Sequence, residues 1–206
     1  MADNILVTSS GATTLRADDV GSVFYQVVKL DGGGDGATIP ITAPDSTLAG
    51  LPVVPRTKRL RISATPTISN AAIYAAKDAV GGIMTFSSAA RATGGTGVIR
   101  AVTVKDLGQQ MAALDLVLFD QTVAGTVTDN NAFDPADADL ANVIGYVSIA
   151  ATTGYKDFND NSVAFAECEI PYVCNATSLF GVLVARGTPT YTSTADLTVI
   201  LTCDLD

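Results

Sequence analysis

The chain has no histidine and no tryptophan in 206 residues, and its three cysteines form no CxxC pair. Histidine is the usual general base near neutral pH and the commonest metal ligand. Without it, no Ser-His-Asp arrangement can form among the many serines. Glutamate is almost missing too: 19 of the 21 acidic residues are aspartate, leaving Glu167 and Glu169. Paired carboxylates for sugar hydrolysis must face each other across a cleft, whereas residues two apart on a strand share one face. That pair reads as a solvated or interface face, and the chain as a non-enzyme with no cofactor and no metal.

Charge is scarce. Charged residues make up 16% of the chain, below the roughly 25% of an ordinary soluble domain. The surface is then either a solvated Thr/Ser/Asn face or one covered by neighbouring copies. A net charge of −9 argues against nucleic acid, since phosphate binding needs clustered Lys and Arg. No membrane segment is apparent. Residues 1–10 lack the charged start and apolar run of a signal peptide, and the most apolar stretch, residues 170–185, contains Pro171, Asn175, Thr177 and Ser178. The chain is expected to be cytosolic when made. Cys168, Cys174 and Cys203 are an odd number in apolar, strand-like surroundings, as buried thiols would be.

What is present is a run of short strands. Segments near 60–65, 82–87, 98–105, 113–120, 143–150, 163–172, 179–186 and 197–203 are rich in Val, Ile, Thr, Phe and Leu and bounded by turn residues. Eight strands at this spacing predict an all-β fold, an antiparallel β-sandwich of jelly-roll type over residues 59–206. Alternation places Leu116, Leu118, Val182, Val184, Val199 and Leu201 on inner faces. Residues 1–58 form an irregular N-terminal arm with half of the eight prolines and an Asp-Gly-Gly-Gly-Asp-Gly loop at 31–36. One strand there, residues 21–30, is expected to join the main domain. Asp134 and Pro135 predict a short helix, with Asp134 as N-cap and Asp137 in its first turn. Residues 69–80 read equally as helix or as an extended crossing.

Asp157, Asn159 and Asn161 match the first three ligand positions of a calcium loop, but Ser162 stands where glycine is wanted and Cys168 where the closing glutamate is wanted. A plain turn is the reading. The greatest charge contrast lies at Arg56, Lys58, Arg59 and Arg61, four of the twelve basic residues within six positions. They read either as a solvated sheet edge or as a docking stripe for an acidic partner surface, since arginine can chelate carboxylates.

Three stretches, at residues 18–31, 73–86 and 178–191, resemble a group of tailed-bacteriophage virion proteins that look like capsid-decorating or auxiliary head proteins. The likeness runs from about residue 15 to the C terminus. It implies a β-sandwich displayed on the capsid surface of the virion, stabilising the shell, with the major capsid protein and other copies of the chain (a homotrimer) as partners. Two alternatives stay open. One is a tail, baseplate or receptor-binding component; the other is a ligand-binding β-sandwich module. Either sugar-binding version would want exposed aromatic platforms, and aromatics are only 6% of the chain.

Overall fold

The computed structural model describes residues 5–8, 14–20, 23–26, 58–70 and 72–206. The chain divides into two compact units, Met1–Pro52 and Val53–Asp206. In the first, β1 (Ile5–Thr8), β2 (Thr14–Val20) and β3 (Val23–Gln26) make an antiparallel sheet in the order β1-β2-β3. The N-terminal region was expected to hold one strand, joined to the main domain. The described residues there hold three, and the ladder partner of β3 is β2. The two extra strands were easy to miss because Thr14–Val20 carries Arg16, Asp18 and Asp19, which dilute the apolar signal. The second unit starts ahead of the expected boundary after residue 58, for Lys58 and Arg59 already pair with Leu205 and Asp204.

The second unit is all-β and sandwich-like. Its strands are β4 (Lys58–Ala64), β5 (Ala79–Phe86), β6 (Thr96–Asp106), β7 (Leu114–Phe119), β8 (Val143–Ile149), β9 (Tyr155–Asp157), β10 (Ser162–Val173), β11 (Leu179–Ala185) and β12 (Leu197–Leu205). They form two antiparallel sheets, in the orders β4-β12-β6-β10-β9 and β5-β11-β7-β8. All eight expected strands are present. The short β9 adds a ninth, and the turn at Asp157–Asn161 is the tip that joins it to β10. The described residues of 69–80 cross between strands without a helix, ending in β5.

Between the sheets lies a core in which Leu114, Leu116 and Leu118 of β7 meet Val199, Leu201 and Cys203 of β12 with Ile99, Val102 and Val104 of β6. The strict alternation of β7 and β12 produces this: every second residue is apolar and points inward. Strand β11 departs from expectation. Leu179, Leu183 and Ala185 enter the main core, while Val182 and Val184 belong to a second apolar cluster with Ala79, Phe119 and Val123. The expected inner placement of Val182 and Val184 is thus off by one residue. The segment Phe-Gly-Val-Leu-Val-Ala is apolar at every position, so it carries no alternation to orient it.

That second cluster lies on the outer face of the four-stranded sheet, under a cover made by residues 120–142. Phe133 packs edge-on against Phe119 with ring centroids 6.4 Å apart. Asp139 is buried, and its Oδ1 accepts the Ala124 N–H at 3.0 Å. Asp129 Oδ1 accepts both the buried Tyr74 hydroxyl and the Gly81 N–H at 2.6 Å. Gly81 has φ +81°, and a Cβ there would lie 2.5 Å from the Pro66 Cβ, so no other residue fits. The expected helix is a 3-10 turn, Asp137–Asn142, capped by extended Ala136 without a side-chain bond. It starts late because Phe133 N–H donates to the Lys77 carbonyl at 2.9 Å and Ala132 bridges Asp78, which keeps the backbone extended up to Asp134.

Leu183→Ala should cost about 2–5 kcal/mol. Phe165→Ala, on the solvent side of β10, should stay within about 0.5 kcal/mol. Urea denaturation of both variants checks the assignment of faces.

Candidate interface on the five-stranded sheet

The outer face of the five-stranded sheet bears no cover among the described residues of the second unit. Its residues follow from alternation and register. One row crosses the sheet as Ser63, Ile200, Thr103 and Phe165, and the next as Arg61, Thr202, Ala101 and Glu167. Threonine is well suited to such a face, being β-branched yet able to hydrogen-bond to water. Phe165 is 60% exposed and Val173, on the same strand, is exposed as well.

A third row holds Arg59, Asp204 and Val98. Here β6 bulges. Thr202 pairs with Ala101 and Cys203 with Ile99, which leaves Arg100 as the extra residue. A bulge re-aims its side chain, and Arg100 reaches two acids. Its Nε lies 3.0 Å from Asp204 Oδ2 and its NH1 2.6 Å from Glu169 Oε1. Arg59 chelates the same aspartate, Nε to Oδ1 at 2.8 Å and NH2 to Oδ2 at 3.0 Å. The result is an alternating chain of charge, Arg59–Asp204–Arg100–Glu169, crossing β4, β12, β6 and β10.

The hydrogen bonds from Arg59, and then those from Arg100, lower the Asp204 pKa to about 2. Beneath this chain, Gly97 leaves no room for a side chain. A Cβ there would collide with the Tyr172 hydroxyl and sit 2.7 Å from the Asp204 carbonyl oxygen. Tyr172 in turn donates to the Ala89 carbonyl at 2.6 Å.

The four basic residues of the stripe therefore part company. Arg56 lies outside the described residues. Arg59 is bound to an acid of its own chain. Lys58 and Arg61 are exposed and make no ion pair among the described residues. The acids that hold Arg59 and Arg100 escaped the sequence reading because Asp204 is 145 positions from Arg59 and 104 from Arg100. The one local hint was Arg100 itself, a charge set within an apolar strand.

Elsewhere, titratable groups are turned to structure. Burial pushes the Cys203 thiol up to about 11 and raises those of Cys174 and Cys168, so all three stay protonated near neutrality. Cys174 and Cys203 are buried and Cys168 partly so, all three free. Burial also raises the Asp106 pKa, although its Oδ2 accepts the Met111 N–H at 2.7 Å. Asp157 accepts from Gln109 Nε2, and among the described residues no group of three or more Cys, Asp or Glu is placed to hold a metal. No protein-family model matches the chain, and no curated protein matches it.

Because the folded pKa of Asp204 lies below its ordinary value of 3.8, its ion pairs stabilise the fold above that value. The contribution is lost as pH falls towards about 2. Asp204→Asn should lower the melting temperature at neutral pH, and the gap to wild type should close as pH drops through that window. High salt should narrow the gap at neutral pH too, since Arg59 is exposed. Melting curves across pH and salt test both.

Proposed function

We propose that the chain is a structural protein of a tailed-bacteriophage virion, a capsid decoration (cement) protein. It binds the outer surface of the major capsid shell and stabilises it, and it is not an enzyme. The observation that carries this reading is the open face of the five-stranded sheet. Threonines, the exposed Phe165 and Arg61, which makes no ion pair among the described residues, lie together there, on a chain of net charge −9. Such a face can approach an acidic neighbour where the rest of the chain repels one. The resemblance of the three stretches to virion head proteins agrees with it.

The finer fold reading, a jelly roll, draws its support from strand order. With β9 set aside, the sheets read β4-β12-β6-β10 and β5-β11-β7-β8, the interleaving that two nested Greek keys produce. Jelly rolls recur among viral shell proteins, which fits the proposal without selecting it.

Exposed ion pairs contribute only about 0–1 kcal/mol each, so apolar contacts and many copies must provide most of the attachment. Changing Arg56, Lys58, Arg59 and Arg61 to glutamine is the broad test. Because Arg59 is held by Asp204, the pair Lys58→Gln and Arg61→Gln isolates docking from internal stability. Imaging of purified particles should show the protein on the head, in numbers proportional to the shell protein, with lower occupancy for both variants. Unchanged occupancy refutes the docking role and leaves a solvated edge. A few copies at the tail would replace the capsid reading with the tail reading.

A further inference from the structure

Asp106, the last residue of β6, is fully buried and makes no ion pair among the described residues. Its Oδ2 accepts the Met111 N–H at 2.7 Å and the Ser162 hydroxyl at 3.4 Å. Its Oδ1 has no hydrogen-bond partner among the described residues, and neither has the buried hydroxyl of Tyr191. Buried polar atoms are nearly always paired, so two orphans at one end of the sandwich mark a group whose state matters.

No cation answers the carboxyl. Beside Asp106 on the sheet lie Ser162 of β10 and Leu197 of β12. Residues 107–113 fold back over it and contain no ionisable side chain. From β9 comes Tyr155, and from the loop between β11 and β12 comes Tyr191; each feels the charge of Asp106. Asp196 of that loop is engaged by the Thr192 and Ser193 N–H groups, both at 2.9 Å, and Asp157 by Gln109. Lys105 and Lys156 are exposed, and Arg186 is bound to Asp115. Burial therefore outweighs the N–H groups of Met111, Gln110 and Gly108 and raises the Asp106 carboxyl above its ordinary value of 3.8.

Residues 107–113 are tied from several sides. Leu107 N–H donates to the Asp196 carbonyl at 2.8 Å, Thr152 N–H to the Met111 carbonyl at 3.0 Å, and the Tyr155 hydroxyl to the Ala112 carbonyl at 2.8 Å. Gln109 and Met111 have left-handed backbones, φ +52° and +45°. Residues with a side chain keep such dihedrals where their surroundings impose them. The bond from Met111 to Asp106 thus holds a segment that would relax on release.

We propose that Asp106 is a proton-operated latch on residues 107–113: a proton on Oδ1 keeps the segment closed, and its loss favours opening. Oδ1 is the site because Oδ2 already accepts from Met111 and Ser162. Opening brings the carboxyl into water, where it holds its proton less tightly, so by linkage acid favours the closed form. The contribution of Asp106 is complete below 3.8 and is lost as pH rises through its raised folded value. This is opposite in sign to Asp204, whose ion pairs weaken as pH falls. The latch rests on no assignment of partner.

Hydrogen exchange of the Met111 and Thr152 amides in the full chain reads the opening directly. Corrected for the intrinsic rate, their protection should fall between about pH 4 and pH 7, by at most about ten-fold per pH unit for one proton. Asp106→Asn keeps an acceptor for Met111 without the charge. It should abolish the slope and leave protection at neutral pH higher than in wild type. Asp204→Asn, at the other end of β12, should leave the slope intact. Should Asp106→Asn not fold, carbon-13 titration of the wild-type Asp106 carboxyl should give a midpoint above 3.8. Wild-type protection that is flat or rises with pH would overturn the latch. So would a slope that survives Asp106→Asn or vanishes in Asp204→Asn, weaker neutral-pH protection in Asp106→Asn, or a carboxyl midpoint at or below the ordinary value.

Discussion

Strand β11 lies between β5 and β7 with its side chains committed on both faces, and the rest of the second unit is arranged around that double burial. Leu179 and Leu183 reach the core between the sheets, while Val182 and Val184 turn outward. Outward valines in the middle of a sheet need a roof, since fully burying one such side chain gains roughly 1.5–3 kcal/mol over leaving it in water. The excursion between β7 and β8 supplies it. Its polar anchors, Asp129 on Tyr74 and Gly81 and Asp139 on Ala124, satisfy backbone donors that the irregular chain would otherwise strand.

The consequence is asymmetry. Among the described residues of the second unit, one sheet is covered on its outside and the other presents a face of threonines, Phe165 and ordered charge. A bare β-face on a sparsely charged chain is an aggregation hazard unless its edges are guarded. Strand β4, the edge of that sheet, carries Lys58, Arg59 and Arg61, and the opposite edge is the short β9. Lysines and arginines on an edge strand discourage pairing with an unselected strand.

Strand positions were legible in the sequence because β-branched runs and turn residues alternate along residues 59–206, and Leu116, Leu118, Val199 and Leu201 declared their facing by strict period-2 spacing. Three things were not legible, each for a physical reason. The facing of β11 was hidden because both of its sides are apolar. The start of the 3-10 turn was hidden because long-range bonds from Phe133 and Ala132 override the local signal of Asp134 and Pro135. The partner of Arg59 was hidden because strand pairing, and not sequence proximity, brings Asp204 to it. Of the candidate stripe, Lys58 and Arg61 make no ion pair among the described residues, whereas Arg59 is held by Asp204 of its own chain.

Arg59 is not lost to recognition by being occupied. A surface arginine free in water must give up rotamer freedom when it binds, at a cost of about 0.5–1.5 kcal/mol per ordered side chain. Arg59 and Arg100 have already been positioned, by a carboxylate whose own place is set from below. Gly97 allows the Tyr172 hydroxyl and the Asp204 backbone to come close, and Tyr172 is tied to Ala89 in the loop after β5. The outer charge pattern is thus continuous with core packing through a position that tolerates no side chain. A partner meeting this face finds a rigid sequence of plus, minus, plus and minus, so the register of docking can be selected even though each exposed pair contributes little by itself.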